Sequence, residues 1–182
     1  NEIKKKIISK TGFLLNKNIF TLKKNYILDN LDNINYLENI KITKYYPSTI
    51  IIKAKKTELI AITYIDQEKY YVGSNGLFVS AKKISSKKKL PIIFGQFNIQ
   101  DYIILKEKLK KKNINYHDVI KYYFHKNKRW DLYFKKNILV MLPEKNIIDA
   151  LELYKQFVSN NKVKSNMSID LRILNRVVLK ND

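Results

Sequence analysis

The stretch Ile40 to Ile62, IKITKYYPSTIIIKAKKTELIAI, leaves the chain less conformational choice than any other. Ile40 and Ile42, then Ile50, Ile52 and Ala54, alternate with other side chains at the period of a strand that buries one face. Pro47 has no N–H for a ladder bond, so it belongs in a connection, where its fixed φ helps the chain reverse. The spacing predicts an outgoing strand, a tight turn at Pro47-Ser48-Thr49 and a returning strand from Ile50 to Lys56.

The residues before the hairpin read as two helices. Ile3, Ile7 and Ile8 recur at helical spacing among lysines, with Gly12 placed to cap the helix end. Leu22, Tyr26, Ile27 and Leu31 form one apolar stripe over Leu22 to Leu31. After Thr57 to Ala61 the text becomes strand-like: Ile60 to Ile65, Lys69 to Val72 and Leu77 to Ala81. The last two are joined by Gly73-Ser74-Asn75-Gly76. A phosphate loop would need a following Gly-Lys-Ser/Thr and a helix, and neither follows, so GSNG reads as a turn.

Lys82 to Lys89 is a basic connection, and Leu90-Pro91-Ile92-Ile93-Phe94-Gly95 an apolar packet. Ile99 to Lys112 reads as a helix with one lysine-rich face. Arg129 to Phe134 and Ile138 to Leu142 form a second hairpin about Lys135-Lys136-Asn137, with Trp130 packing its sheet against a helix. Asn146 to Val158 is the most strongly patterned helix, with Asn146 as its N-cap. Ile169 to Lys180 closes the chain as one strand, with room for a bend at Leu174-Asn175-Arg176.

Four short motifs then carry a resemblance. Tyr-Pro-x-Thr-Ile at Tyr46 to Ile50, LPIIFG at 90–95, RWDL at 129–132 with LPE at 142–144, and DLR at 170–172 stand in the order found in the FtsQ (DivIB) family of cell-division proteins. RWDL with LPE is closest to its alphaproteobacterial branch. The resemblance implies an α+β fold: residues 1–58 as an N-terminal POTRA domain (helix, helix, hairpin), and residues 59–182 as a mixed, mainly antiparallel β domain with flanking helices. It also implies a first POTRA strand upstream of Asn1 and, before that, one transmembrane helix anchoring the region in the periplasm at the cell inner membrane. No apolar run in these residues approaches the roughly 18–20 needed to span a bilayer.

The function implied by the resemblance is that of a noncatalytic divisome scaffold. Its POTRA domain meets early division proteins such as FtsK, and its β domain recruits the FtsB and FtsL pair by strand addition to the last strand. Carried onto this sequence, the partner-binding residues are Arg172, Ile173, Asn175 and Val177 on that strand, with Lys128 just before RWDL as a second basic contact. Arg172 would pair with a carboxylate on the partner. Ile173 stands where other branches often carry an aromatic residue.

Charge poses the main competing reading. The formal net charge of +20 fits a phosphate-binding protein, but it is spread as +7 over residues 1–58 and +13 over 59–182. Only three residues are Arg, and Lys, Asn, Ile and Tyr make up 93 of the 182, the mark of A/T-rich codons. A solvated lysine surface is favoured over a nucleic-acid footprint. Tyr122, Tyr123, Phe124 and Trp130 among lysines would suit base stacking only if exposed, and strand alternation sends half of them inward. A POTRA-containing transport or assembly factor is a further alternative, but residues 59–182 resemble neither further POTRA repeats nor a barrel.

The residues offer no catalytic constellation. His117 and His125 lack neighbours at metal spacing, there is no nucleophile elbow, and the chain has no cysteine. No enzyme activity, metal or cofactor is expected, and hydrogen bonding suffices as a role for Asp131 and Asp170.

Overall fold

The computed structural model describes residues 2–32, 34–84, 86–161 and 165–181. The chain divides into two compact units, Asn1–Glu58 and Leu59–Asp182.

In the first unit α1 (Glu2–Thr11) leads through a single 3-10 turn, Gly12–Leu14, towards α2 (Lys24–Asp32). Thr11 ends α1 by donating its hydroxyl to the Ile7 carbonyl at 2.8 Å, and Gly12 opens the next turn rather than serving as a left-handed cap. Strands β1 (Leu37–Tyr45) and β2 (Thr49–Lys56) pair antiparallel with Ile42 opposite Ile52, and a bulge lies between Glu38 and Lys41. Ile27 and Leu31 of α2 are fully buried, and Ile34, Tyr36, Leu37 and Ile42 are buried with them, so the helix stripe and one face of β1 make the small core.

The second unit is built on a nine-stranded mixed sheet of order β11-β10-β9-β8-β7-β6-β3-β4-β5. Its strands are β3 (Leu59–Ile65), β4 (Glu68–Gly73), β5 (Phe78–Ser80), β6 (Ile92–Phe94), β7 (Val119–Phe124), β8 (Trp130–Phe134), β9 (Ile138–Met141), β10 (Met167–Asp170) and β11 (Val178–Asn181). Pairs β3/β6, β6/β7 and β9/β10 are parallel and the other five antiparallel. Parallel neighbours need long crossovers. Helix α3 (Ile99–Lys111) supplies the one between β6 and β7, and α4 (Ile147–Asn160) the one between β9 and β10.

Both helices turn apolar stripes to the same core. Tyr102, Leu105 and Leu109 of α3, with Leu151 and Tyr154 of α4, meet Ile93, Tyr122, Leu132, Val140 and Ile169 of the sheet. Lys112 and Glu152 join the two helices by an ion pair of 2.7 Å. Trp130 is buried beside Phe97, Tyr102, Tyr122 and Phe124, which makes it a core ring and not a stacking platform. Gly76, with φ +81, sits in the expected GSNG turn, where Gly73 N–H donates to the Leu77 carbonyl at 2.9 Å.

Residues 119–124 form the strand whose alternation divides the aromatic run between two faces; it is fixed by parallel pairing with β6 on one side and antiparallel pairing with β8 on the other. Two further expectations from sequence change. Asn146 occupies the N-cap position of α4 but has φ 59, and its side chain accepts no capping bond. Side-chain capping needs an extended backbone there. The expected single strand from Ile169 to Lys180 is a hairpin: β10 stops at Asp170, and β11 returns antiparallel with Ile169 opposite Leu179.

Candidate partner-binding surface

The β10–β11 hairpin forms because Asp170 bonds forward along its own chain. Its carboxylate accepts the Arg172 backbone N–H at 3.0 Å and the Arg172 Nε–H at 2.8 and 2.9 Å, and an Arg172 Nη2–H completes a bidentate pair. A side chain that takes the N–H two residues on replaces a ladder bond with a turn. The Arg172 guanidinium is the main reason the Asp170 carboxyl titrates below its ordinary range, and the same contact raises Arg172. Further on, Asn175 adopts φ 57, a conformation Asn tolerates better than most residues, and Arg176 N–H donates to the Ile173 carbonyl at 3.2 Å.

The loop faces the start of α4. Between them lies a groove of about 390 Å³ whose walls include Pro143, Glu144 and Asp149 on one side and Arg172, Ile173 and Asn175 on the other. Leu171 closes its floor, buried and held by donation of its N–H to the Met141 carbonyl at 3.0 Å. Of the five residues expected to bind a partner, three therefore line one groove. Val177 lies on the approach to β11, and Lys128 lies exposed at the β7–β8 turn, where its N–H donates to the His125 carbonyl at 2.9 Å.

Two corrections follow. Arg172, Ile173, Asn175 and Val177 are loop residues before the last strand, not members of it, because Asp170 ends β10. Arg172 already has a carboxylate partner within its own chain, so any other acid must compete with Asp170. What the sequence reading missed is the opposite wall: Leu142-Pro143-Glu144 was noted for its likeness, but nothing local announces that it faces residue 172.

A second cluster stands in register with this one. Asp131 on β8 lies opposite Met141 on β9, and Met141 opposite Asp170 on β10, so the two aspartates share a row across the sheet. Asp131 is buried; its Oδ2 lies 2.7 Å from His125 Nε2, and its Oδ1 lies 3.4 Å from Arg129 Nε. The charge of Arg129 also helps to lower Asp170. His125 and Arg129 flank the turn that presents Lys128, and their shared grip on Asp131 fixes the base of that turn.

Beyond the groove, β11 forms one end of the nine-stranded sheet and, among the described residues, has a neighbour on one side only. Val178 and Leu179 are 45% and 46% exposed there, so the free edge presents apolar side chains beside its backbone donors and acceptors. The opposite end of the sheet, β5, is only three residues long.

The family model described as "Cell division protein FtsQ/DivIB, C-terminal" matches residues 61–172. The cell division protein FtsQ of Rickettsia typhi is 29% identical over 165 residues, covering 89% of this chain and 61% of that protein. FtsQ of Rhizobium radiobacter is 24% identical over 157 residues, 80% of this chain and 70% of the relative. The cell division protein DivIB of Clostridium botulinum is 25% identical over 179 residues, 94% and 65% respectively. The chain thus spans 61% of the length of the Rickettsia relative. Among solved structures, the major extracytoplasmic domain of DivIB from Geobacillus stearothermophilus, in its trans isomer, matches with a TM-score of 0.38 and 15% identity over 60% of this chain and 99% of that one. The family match takes in well over half of the chain and runs from β3 through the groove to Arg172, and the chain belongs to the FtsQ/DivIB family of cell division proteins.

Proposed function

We propose that this chain is the periplasmic part of a noncatalytic divisome scaffold, held at the cell inner membrane by a single span. In this reading residues 1–58 are a POTRA domain that meets early division proteins such as FtsK, and residues 59–182 recruit FtsB and FtsL. The family supports the role in division; the observation that carries the recruitment is the free outer edge of β11 with Val178 and Leu179 exposed. An extended partner segment adds there as a further strand, with backbone bonds setting its register. Its continuation lies in the groove, where a carboxylate displaces Asp170 from Arg172 and an apolar side chain meets Ile173.

The test is calorimetric titration of the chain with the periplasmic C-terminal segment of the same organism's FtsB. Wild type is compared with Leu179→Lys, which blunts the edge, and with Arg172→Glu. Saturable binding that Leu179→Lys weakens by about tenfold or more, and Arg172→Glu by a few-fold, is the expected result. Binding unchanged in both folded variants would remove β11 and its groove from the recruitment site.

A further inference from the structure

In the first unit, the loop between the 3-10 turn and α2 holds an aromatic residue out in water by a built arrangement. Phe20 N–H donates to Asn18 Oδ1 at 2.9 Å, and the Thr21 hydroxyl donates to the Asn18 carbonyl at 3.1 Å, closing a tight turn. Ile19 is buried as the anchor of that turn. The Lys44 ammonium, reaching over from β1, donates to the carbonyl of Ile19 at 2.8 Å and to that of Leu22. So fixed, Phe20 is 66% exposed and stacks on Tyr46 of the β1–β2 turn, itself 59% exposed, with ring centroids 4.7 Å apart and planes inclined by 24°.

The surroundings of this pair are apolar and cationic. Phe13 and Tyr26 meet edge-on at 5.2 Å and, with Lys17 and Lys23, line a shallow groove of about 520 Å³ on the same loop. Leu15 is 77% exposed. Residues 10–28 contain four lysines and no acid, and residues 45–50 contain no charge at all. Two stacked rings and a leucine held in water on a lysine-bearing loop mark an interaction surface, and pinning through Lys44 keeps them there at little entropic cost.

We propose that this end of the first unit, Phe20 and Tyr46 with Lys17 and Lys23 of the same loop, rests on the surface of an anionic lipid bilayer. Aromatic rings settle at the boundary between headgroups and acyl chains, and a tyrosine there keeps its hydroxyl wet. Lysines complement anionic headgroups while their stems lie along apolar surface. Single-stranded nucleic acid is the rival occupant of an aromatic and basic patch, but the exposed Leu15 offers a base nothing to stack on, and the patch contains no arginine. The inference does not depend on the role of β11.

The experiment is sedimentation of the full chain with vesicles of phosphatidylcholine containing a minority of phosphatidylglycerol. Since +20 of charge will draw any variant towards anionic vesicles, the decisive comparison keeps charge constant. Phe20→Ser/Tyr46→Ser should lower partitioning by about tenfold, whereas Lys87→Gln/Lys89→Gln in the second unit should change it by less than about twofold. The only native tryptophan, Trp130, is buried, so a Phe20→Trp variant reports directly: its emission should shift to the blue with vesicles and be quenched by brominated acyl chains. Equal partitioning of wild type and the folded Phe20→Ser/Tyr46→Ser protein, or no blue shift, would overturn the proposal. So would salt-sensitive binding of single-stranded DNA that this variant loses while its vesicle binding stays intact.

Discussion

Asp170 and Arg172, two residues apart, bind one another so closely that the strand they were expected to share ends between them. The pair sets what the groove can recognise. Replacing Asp170 with Asn leaves the guanidinium without its carboxylate, and in the proposed reading an acidic partner segment then binds several-fold more tightly. The cost in stability should stay under about 1 kcal/mol, since Arg172 is exposed. Titration calorimetry on the variant, with urea unfolding alongside, reads both quantities.

The same pair sets an acid limit. Because the folded Asp170 carboxyl titrates below its unfolded range, its contribution is fully present above the unfolded value near ~3.9 and disappears as pH falls through the folded one. Protection of the Arg172 amide against hydrogen exchange, corrected for intrinsic rates, should hold from neutrality down to that range and then fall. Asp170→Asn should abolish this dependence.

Two glycines give contrasting predictions. A Cβ on Gly95 would stand 2.1 Å from the Phe124 carbonyl oxygen, and its φ of +99 already disfavours any side chain. Gly95→Ala should cost about 2–4 kcal/mol by pushing β6 away from β7. At Gly76, φ is +81 but a Cβ would meet nothing within 4 Å, so Gly76→Ala should cost only about 1–2 kcal/mol. Chemical denaturation of the two variants separates collision from backbone strain.

Asp131 is the buried member of its cluster, with His125 and Arg129 as partners. Asp131→Ala should destabilise by about 2–3 kcal/mol because it leaves Arg129 half-buried without its carboxylate, and His125→Ala by about 1 kcal/mol. The double variant should cost less than the sum, and a double-mutant cycle measures the difference.

Burial pushes the Tyr154 hydroxyl up to about 12 and raises Tyr102 further. An acid whose folded value is raised contributes stability fully below its unfolded value near ~10 and loses it as pH climbs through the folded one. Spectrophotometric titration should show the buried rings of Tyr102 and Tyr154 ionising only as the sheet unfolds above about pH 10.

Where short-range pattern decides structure, the sequence was readable. The alternation through Ile50, Ile52 and Ala54, the stripe of Ile147, Leu151 and Tyr154, and the Asn75-Gly76 turn each correspond to the element found. In β7 the alternation divides the rings as expected: Tyr122 packs into the core while Tyr123 stacks on Phe94 of β6. The end of β10 was hidden. Ile169, Leu171 and Ile173 alternate with Asp170 and Arg172 as a strand would, and only the three-dimensional reach of one carboxylate breaks the pattern. The groove opposite Arg172 has no local signal at all, since Pro143 and Asp149 meet it through the parallel crossover of α4.

Considered as a mechanical joint, the β10–β11 hairpin is a seam held by four facing residue pairs, from Met167 and Asn181 to Asp170 and Val178. Tension along the strands loads all four in shear, whereas tension across them opens one pair after another from the free end. A strand added outside β11 would turn that outermost ribbon into an inner one clasped from both sides. Under tension across the sheet, peeling would then have to begin in the newcomer.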